Sequence, residues 1–215
     1  MQSLFEDLPA TVAPAHTALL VIDVQNDFCK DAPRKAMIPK IRRVLDVARA
    51  ANVAVIYVQN TVLPGGLSDS PSDLMRRRKL GINTEVTIDG TRGHGFVDEL
   101  APVAGDPIIR KHRLSALIGT TLDTVLRSRD IRTIVCTGTA THGCVINTAY
   151  AAVALNYYVV VVEDCVASWR ADLHESALFL MRNTINYVVS SDALLSAWQA
   201  PMRPAATLLS AAAGQ

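Results

Sequence analysis

The chain alternates between short apolar runs and segments whose apolar residues have helical spacing. The first run, ALLVIDV at residues 18–24, precedes IPKIRRVLDVARAAN, where apolar residues recur every three or four positions. The other runs are VAVIYV, PIIRK, TIVCTG, YYVVVVED and INYVV, at residues 53–58, 107–111, 133–138, 157–164 and 185–189. Parallel neighbours need crossover connections, which are usually helices, so the alternation predicts a parallel sheet covered on both faces.

The expected helices lie between these runs, at residues 38–52, 120–130, 144–155, 171–183 and 191–198. With 215 residues, 50% of them hydrophobic and 19% charged, the chain can fill the core of one sizeable domain. We predict a single α/β domain over residues 1–215, with a core at about 17–198 and a weakly structured tail at 201–215. The loop at 59–106 is predicted to wrap the sheet edge, with short helices around Leu74 and Phe96.

Composition argues against several kinds of partner. A formal net charge of +1 gives no general attraction to nucleic acid or to an acidic membrane. No apolar stretch reaches the roughly 18 residues of a membrane span, and the N-terminus lacks the pattern of a secretory signal. Four cysteines without a CxxC pair suggest free thiols instead of a zinc or dithiol motif. We therefore predict a cytoplasmic protein that binds neither nucleic acid nor membrane.

Three reactive side chains follow separate predicted strands. Asp23 is the next-to-last residue of the first run, Lys111 ends the third, and Cys144 begins the helix after the fourth. In an open parallel sheet, ligands bind beyond the carboxyl ends of the strands, so these side chains are expected to converge there. Each residue alone is weak support, because strand-end Asp and Lys are often caps or solvated termini and Cys is often a core filler.

The start of the helix at Cys144 favours a reactive thiol. Thr141 is a candidate N-cap, which would place Cys144 in the first turn, near unpaired backbone amides. Those amides, the helix dipole and a nearby Lys111 ammonium would favour the thiolate, and Asp23 could accept the thiol proton. The same amides could hold the oxyanion of a tetrahedral intermediate.

The motifs VIDVQNDF, RKHRLSAL and TGTATHGCVINTAYAAVALN, in this order, resemble those of the isochorismatase-like cysteine hydrolases. This group includes nicotinamidase, N-carbamoylsarcosine amidase, ureidoacrylate amidohydrolase and biuret hydrolase. The resemblance implies a three-layer αβα, Rossmann-like fold with a mostly parallel six-stranded sheet and a catalytic triad of Asp23, Lys111 and Cys144. It also implies a non-proline cis bond between Thr139 and Ala140, which would direct the Ala140 amide toward the oxyanion beside the Cys144 amide.

The resemblance further implies a cysteine-dependent amidohydrolase that cleaves a small amide or ureide through a thioester and releases ammonia or a small amine. Such enzymes assemble as homo-oligomers, so a dimer or tetramer is expected.

Nicotinamidase-type members bind a metal through an Asp-x-His motif and a further His after the second strand. This chain has YVQNTVLPGGLSDSPSD there, without histidine, so no metal and no other cofactor is expected. His94 and Asp69 are the two residues that could in principle bind an ion.

Candidate substrate contacts are less well defined than the triad. They are Gln25, Phe28, Asn60, Leu114 and His142, with Arg92 and Arg113 as possible partners of a substrate carboxylate. Asn60 corresponds to a substrate-contacting Asn of ureidoacrylate amidohydrolase. That enzyme has aromatic residues at the positions of Leu114 and Val62, however, which argues against ureidoacrylate itself.

Three alternatives compete with this interpretation. Vinyl-ether hydrolases of the isochorismatase type lack the nucleophilic cysteine, so Cys144 counts against that activity. A dinucleotide-binding oxidoreductase would require G-x-G-x-x-G after a strand, and no such stretch is present. A non-catalytic binding protein on the same fold stays open, although the complete set of three reactive residues argues against it.

Overall fold

A six-stranded parallel sheet forms the centre of the part of the chain that the structure describes. The structure, a computed structural model, describes residues 7–199, so the predicted tail at 201–215 lies outside the described residues. The strands are β1 (Thr17–Ile22), β2 (Ala54–Asn60), β3 (Ile108–Lys111), β4 (Thr133–Thr139), β5 (Tyr158–Ala167) and β6 (Tyr187–Val189). Their order is β3-β2-β1-β4-β5-β6, and every neighbouring pair is parallel.

Helices cover both faces of this sheet. They are α1 (Leu8–Thr11), α2 (Ala32–Ala50), α3 (Pro71–Lys79), α4 (Leu122–Ser128), α5 (Ile146–Ala154), α6 (Ala171–Thr184) and α7 (Ser191–Gln199). Buried residues of α2 and α7 share one hydrophobic cluster with the sheet, and those of α4, α5 and α6 share the other. The predicted three-layer αβα fold is therefore confirmed. No helix among residues 7–199 is long and apolar enough to cross a membrane.

Strand β1 shows why the apolar runs are continuous. Leu19 and Val21 belong to the cluster under α2 and α7, whereas Ala18, Leu20 and Ile22 belong to the opposite one. All five side chains are fully buried. A parallel sheet with helices on both faces leaves no solvated side, so the strand shows no polar alternation.

Helix α2 begins earlier than predicted, at Ala32 instead of Ile38. Asp31 caps it by accepting a hydrogen bond from the Arg34 amide at 3.0 Å. Pro33 lies in the first turn, where its missing N–H costs nothing. The prediction followed apolar spacing alone and therefore missed a start that is set by the cap and the proline.

The predicted helix around Phe96 was wrong, although α3 does contain Leu74. Phe96 instead forms an antiparallel bridge with Gln25, and a short 3₁₀ turn follows at Asp98–Leu100. The carbonyls of residues 92, 95 and 96 accept hydrogen bonds from the Asn26 side chain at 3.0, 3.2 and 3.1 Å. Because the amide of Asn26 binds those carbonyls, the backbone of this segment follows the loop after β1 instead of forming a helix.

Candidate active site

Asp23 lies directly after β1, at the carboxyl edge of the sheet. Its backbone has a φ of 53°, in the left-handed region, where Asp is more frequent than most residues. The Asp23 amide donates to the Val58 carbonyl of β2 at 2.9 Å, and the Asp23 carbonyl accepts from the Gln25 amide at 2.8 Å. These bonds hold the carboxylate, which is fully buried, at a sharp bend between strand and loop.

Lys111 reaches the same place from β3, two strands away from β1. Its ammonium lies 2.9 Å from the Asp23 carboxylate, and both side chains are 0% exposed. The ammonium also donates to the Cys144 sulfur at 3.2 Å. A long side chain is needed here because it must pass the end of β2 to meet groups that follow β1 and β4. The structure thus brings Asp23, Lys111 and Cys144 together.

Cys144 lies in a single π-helical turn, Thr141–Val145, that leads into α5. The amides of Gly143 and Val145 both donate to the Ala140 carbonyl, at 2.9 and 3.2 Å. The Thr139–Ala140 peptide bond just before the turn is cis. A π turn is rare and occurs mostly at functional sites.

Thr141 does not cap this turn, contrary to the sequence prediction. The residue at the cap position is Ala140, and the turn has no side-chain capping hydrogen bond. The Thr141 hydroxyl is instead paired with Nδ1 of His174 on α6, at 2.8 Å. Thr141 is fully buried, so its hydroxyl bonds to a neighbouring helix and anchors the turn from the side.

The electrostatics of the three residues differ from the expectation of a resting thiolate. Burial and the nearby Asp23 carboxylate raise the pKa of the Cys144 thiol to about 12, although Lys111 lowers it. Burial lowers the pKa of Lys111, but Asp23 and Cys144 together raise it by more. The pKa of Lys111 therefore lies above its ordinary value. At neutral pH a Cys144 thiol therefore lies beside the Lys111 ammonium, and thiolate formation needs a proton acceptor.

A family model described as the isochorismatase domain matches residues 17–193. The chain belongs to the isochorismatase family. It is similar to RutB, a ureidoacrylate amidohydrolase of Rhizobium rhizogenes, with 33% identity over 190 residues, covering 79% of this chain and 77% of that protein. This family membership confirms the resemblance found in the sequence motifs.

Solved structures of the isochorismatase family agree with the fold. A cysteine hydrolase from Pseudomonas syringae pv. phaseolicola 1448A is similar with a TM-score of 0.78 and 26% identity, over 88% of this chain and 95% of that one. N-carbamoylsarcosine amidase from Thermoplasma acidophilum is similar with a TM-score of 0.68 and 29% identity, over 82% and 96%. The relative and the two neighbours are all hydrolases by name: an amidohydrolase, a cysteine hydrolase and an amidase.

In this isochorismatase-family site, two of the residues predicted to contact substrate, Gln25 and Asn60, form hydrogen bonds with other parts of the protein. The Gln25 amide nitrogen donates to the carbonyls of Asn60 and His94, at 3.0 and 2.7 Å, and its oxygen accepts from the Asn60 amide at 2.9 Å. The Asn60 side chain bonds to Lys111 through its oxygen, at 3.3 Å, and to Thr87 through its nitrogen, at 2.7 Å. Both side chains therefore form hydrogen bonds within the protein, around Asp23, Lys111 and Cys144.

The other three predicted contacts are half-buried. Phe28 and Leu114 belong to neither hydrophobic cluster of the described residues. The Nδ1 of His142 is paired with the Ser168 hydroxyl at 2.9 Å, and its ring meets that of Trp169 edge-on at 4.6 Å. Burial and the nearby Arg170 lower the pKa of His142, so its imidazole is neutral at neutral pH.

The structure separates the two residues that could in principle bind an ion. His94 is buried and pairs with the Thr61 hydroxyl through Nε2, at 2.9 Å, and with Asp89 through Nδ1, at 3.4 Å. Asp69 instead lies 3.9 Å from the Arg77 guanidinium. The residues therefore support different parts of the long loop and do not face a common point.

The two candidate carboxylate partners, Arg92 and Arg113, are both exposed. The Arg113 guanidinium donates to the Ser68 carbonyl at 2.9 Å, and the Arg113 carbonyl accepts from the Lys111 ammonium at 3.1 Å. Arg113 thus joins the long loop to the triad through its backbone, with its charge at the surface.

Sequence reasoning missed Thr87. It is fully buried, has a φ of 53° and bonds to Asn60 through its side chain. Nothing in the local pattern INTEVTIDG marks it, because its importance comes from a contact with a strand end far away in sequence. Two surface clefts also lie away from the site. Clefts of about 670 and 270 Å³ lie along α2, and none of the triad residues lines them.

Proposed function

We propose that Cys144 is the nucleophile, Asp23 the general base and Lys111 the electrostatic partner of a cysteine-dependent amidohydrolase that acts on a small amide or ureide. The observation that carries this proposal is the buried ammonium of Lys111, which lies 2.9 Å from the Asp23 carboxylate and 3.2 Å from the Cys144 sulfur. A nucleophile whose base and charge partner are both within reach is the general requirement for covalent catalysis.

The first half-reaction forms a thioester. Asp23 takes the Cys144 proton, and the thiolate attacks the carbonyl carbon of the substrate. The backbone amides of Ala140 and Cys144 bind the resulting oxyanion, a contribution of about 3 kcal/mol per donor. Asp23 then gives its proton to the substrate nitrogen, the C–N bond breaks, and ammonia or a small amine departs.

The second half-reaction hydrolyses the thioester. Asp23, again a carboxylate, takes a proton from water, and the hydroxide attacks the thioester carbonyl. The C–S bond breaks, and Cys144 recovers the proton from Asp23 as the acid leaves. Lys111 stays an ammonium throughout, because the raised pKa of its side chain keeps it charged at neutral pH. Its charge stabilises whichever of the two partners is anionic at each step.

The similarity to a ureidoacrylate amidohydrolase and to N-carbamoylsarcosine amidase supports ureides as the first substrates to test. Leu114 and Val62 replace aromatic residues of ureidoacrylate amidohydrolase, which favours a different acyl group. Half-buried Phe28 and Leu114 are suited to pack against an apolar part of the substrate.

Ammonia release from a panel of amides and ureides tests the proposal. The panel contains ureidoacrylate, N-carbamoylsarcosine, biuret, maleamate and nicotinamide. We expect release by the wild type from at least one compound and none by Cys144→Ala, with an unchanged circular-dichroism spectrum because Cys144 is a small part of the core. Turnover by Cys144→Ala at the wild-type rate would contradict the mechanism.

Two alternatives are covered by the same experiment. Conversion of isochorismate that persists in Cys144→Ala would indicate a vinyl-ether hydrolase. Absence of turnover on every compound, together with a Cys144 that iodoacetamide does not modify even at high pH, would indicate a non-catalytic binding protein.

We also propose that the protein is a cytoplasmic homo-oligomer, a dimer or a tetramer. All four cysteines are free, as suits a reducing compartment.

The oligomer is supported by large apolar side chains exposed on α5 and α6: Tyr150, Val153, Phe179 and Leu180. We call this surface the α5–α6 face. The Thr184 hydroxyl of α6 donates to the Tyr150 hydroxyl of α5 at 3.2 Å, so the two helices present one continuous surface.

A further inference from the structure

The ammonium of Lys111 is bonded to two neutral oxygens in addition to its contacts with the reactive groups. Besides Asp23 and Cys144, it contacts the Arg113 carbonyl at 3.1 Å and the Asn60 side-chain oxygen at 3.3 Å. A lysine has three N–H groups, which match these two oxygens and the Cys144 sulfur, while Asp23 forms an ion pair with the ammonium at 2.9 Å. The two neutral oxygens therefore help to fix the ammonium next to the carboxylate and the sulfur. Its position between the two reactive groups therefore depends on these neutral partners.

The orientation of Asn60 is determined by what lies on each side of its amide. Lys111 can only donate, so the amide oxygen must face it. The amide nitrogen then faces the Thr87 hydroxyl, to which it donates at 2.7 Å. Each end of the Asn60 amide thus has a partner in the protein. By accepting from the amide nitrogen, the Thr87 hydroxyl holds Asn60 with its oxygen toward the ammonium.

Thr87 is itself held rigidly. It is 0% exposed, its amide donates to the Asp27 carboxylate at 2.8 Å, and its carbonyl accepts from the Val62 amide at 3.0 Å. Its φ of 53° is a real outlier for a β-branched residue. Such a conformation costs about 1–3 kcal/mol and persists only where its surroundings enforce it, most often near functional sites.

Asp27 completes this series of contacts in the loop after β1. Its carboxylate bonds to the Thr87 amide and, at 2.8 Å, to the Lys30 ammonium. The backbone of Gly93 packs so closely on Asp27 that a Cβ at Gly93 would lie 2.0 Å from a carboxylate oxygen. The loop that carries Asp23 is thereby locked to the loop that carries Thr87.

We propose that Asn60 and Thr87 are positioning residues that hold the Lys111 ammonium between Asp23 and Cys144. This inference rests on the proposed function, because it assigns the Lys111 ammonium a role in turnover. It predicts that loss of the Thr87 hydroxyl acts on Lys111 through Asn60, at a distance from the substrate.

Thr87→Val and Thr87→Ser form a matched pair for the test. Valine keeps the shape and the β-branching of threonine, so it meets the same backbone strain, but it offers no acceptor to Asn60. Serine keeps the hydroxyl and loses only a methyl group. We expect kcat of Thr87→Val to fall about tenfold with KM within about twofold of the wild type, since supporting contacts of this kind are worth about 10- to 100-fold elsewhere. Thr87→Ser should regain most of kcat.

A second readout needs no substrate. The rate at which iodoacetamide modifies Cys144, followed by mass spectrometry between about pH 7 and 10, reports how well the Lys111 ammonium stabilises the thiolate. We expect slower modification in Thr87→Val than in the wild type or Thr87→Ser at each pH. Thermal unfolding of both variants shows whether enough folded protein is present for the comparison.

Three outcomes would overturn the inference. Equal kcat values for the valine and serine variants would show that the hydroxyl does not matter, and a rise of KM alone would return Asn60 to a substrate contact. Equal modification rates of Cys144 in the two variants would show that Lys111 is held without Thr87. If the wild type itself hydrolyses nothing, the proposed function fails, but the modification rates still decide whether Thr87 positions Lys111.

Discussion

At the scale of single residues, the site is a buried charge pair next to a neutral thiol. Asp23 and Lys111 are each 0% exposed, and burial of an ion pair is tolerable only when both partners are present and well bonded. The pKa of about 12 for Cys144 follows from burial first and from the Asp23 charge second. In the proposed mechanism, catalysis therefore starts with proton transfer from Cys144 to Asp23, because the thiol is not ionised at rest.

Asp23→Asn is predicted to separate reactivity toward iodoacetamide from catalysis. Removal of the Asp23 charge lowers the pKa of Cys144, and each unit gives about tenfold more thiolate at a pH below the pKa. Alkylation of Cys144 should therefore become faster at pH 8, while ammonia release is lost with the general base. Cys144→Ala in the same background is the control. Slower alkylation would mean that Asp23 already holds the proton in the resting enzyme.

Lys111→Met is predicted to destabilise the fold by about 3–5 kcal/mol, because it leaves the Asp23 carboxylate buried without a cation. Urea unfolding followed by circular dichroism measures the loss. The double variant Asp23→Asn/Lys111→Met removes both charges and should recover most of the stability while staying inactive. Equal stability of the single and double variants would show that the Asp23 side chain does not depend on the Lys111 cation for its burial.

At the scale of secondary-structure elements, close contact between strand ends creates the site. Gly138, near the end of β4, has a φ of 109°, and a Cβ there would lie 2.0 Å from the Ile22 carbonyl oxygen of β1. The pairing of β4 with β5 is also irregular between Cys136 and Gly138. Only glycine lets β1 and β4 approach so closely just before Asp23 and the turn of Cys144.

Gly138→Ala is predicted to cost about 3 kcal/mol or more in the free energy of unfolding, since backbone atoms of β1 must move. Gly119→Ala is a matched control. Gly119 also has a positive φ, of 68°, but nothing lies within 4 Å of the place that an alanine methyl group would take, so only the backbone strain of about 1 kcal/mol applies. Similar urea midpoints for the two variants would contradict the importance of the close approach.

At the scale of the whole molecule, the sheet is covered on both faces, and one of the helical layers exposes several large apolar side chains. On the α5–α6 face, Phe179 is 66% exposed and Leu180 is 48% exposed. Contiguous apolar surface of this kind marks protein contacts more often than solvent-facing surface. In the proposed oligomer, a second copy of the chain would cover this face.

Phe179→Asp is predicted to shift the mass measured by light scattering toward the monomer, because a charge on the α5–α6 face opposes its burial between subunits. Ser196→Asp adds the same charge at an exposed position of α7, in the opposite layer, and should leave the mass unchanged. A wild type that is monomeric at all concentrations would contradict the oligomer, and an unchanged mass in Phe179→Asp would assign the contact to another surface.

The sequence by itself determined the sheet, its helical layers and the convergence of Asp23, Lys111 and Cys144. Apolar runs must be buried, crossovers between parallel strands need helices, and ligands bind where the strands end, so local pattern and general topology were enough. These predictions did not depend on any single long-range contact. The start of α2 was misjudged because a cap and a proline, and not apolar spacing, set it.

Only the tertiary structure decided how the site is held. The bond of Thr141 to His174, the use of both ends of the Asn60 amide and the buried, left-handed Thr87 all arise between segments far apart in the chain. The high pKa of Cys144 likewise comes from burial and from a carboxylate after another strand. Hydrogen bonds and desolvation act over a few ångströms in space, and a linear sequence does not contain those distances.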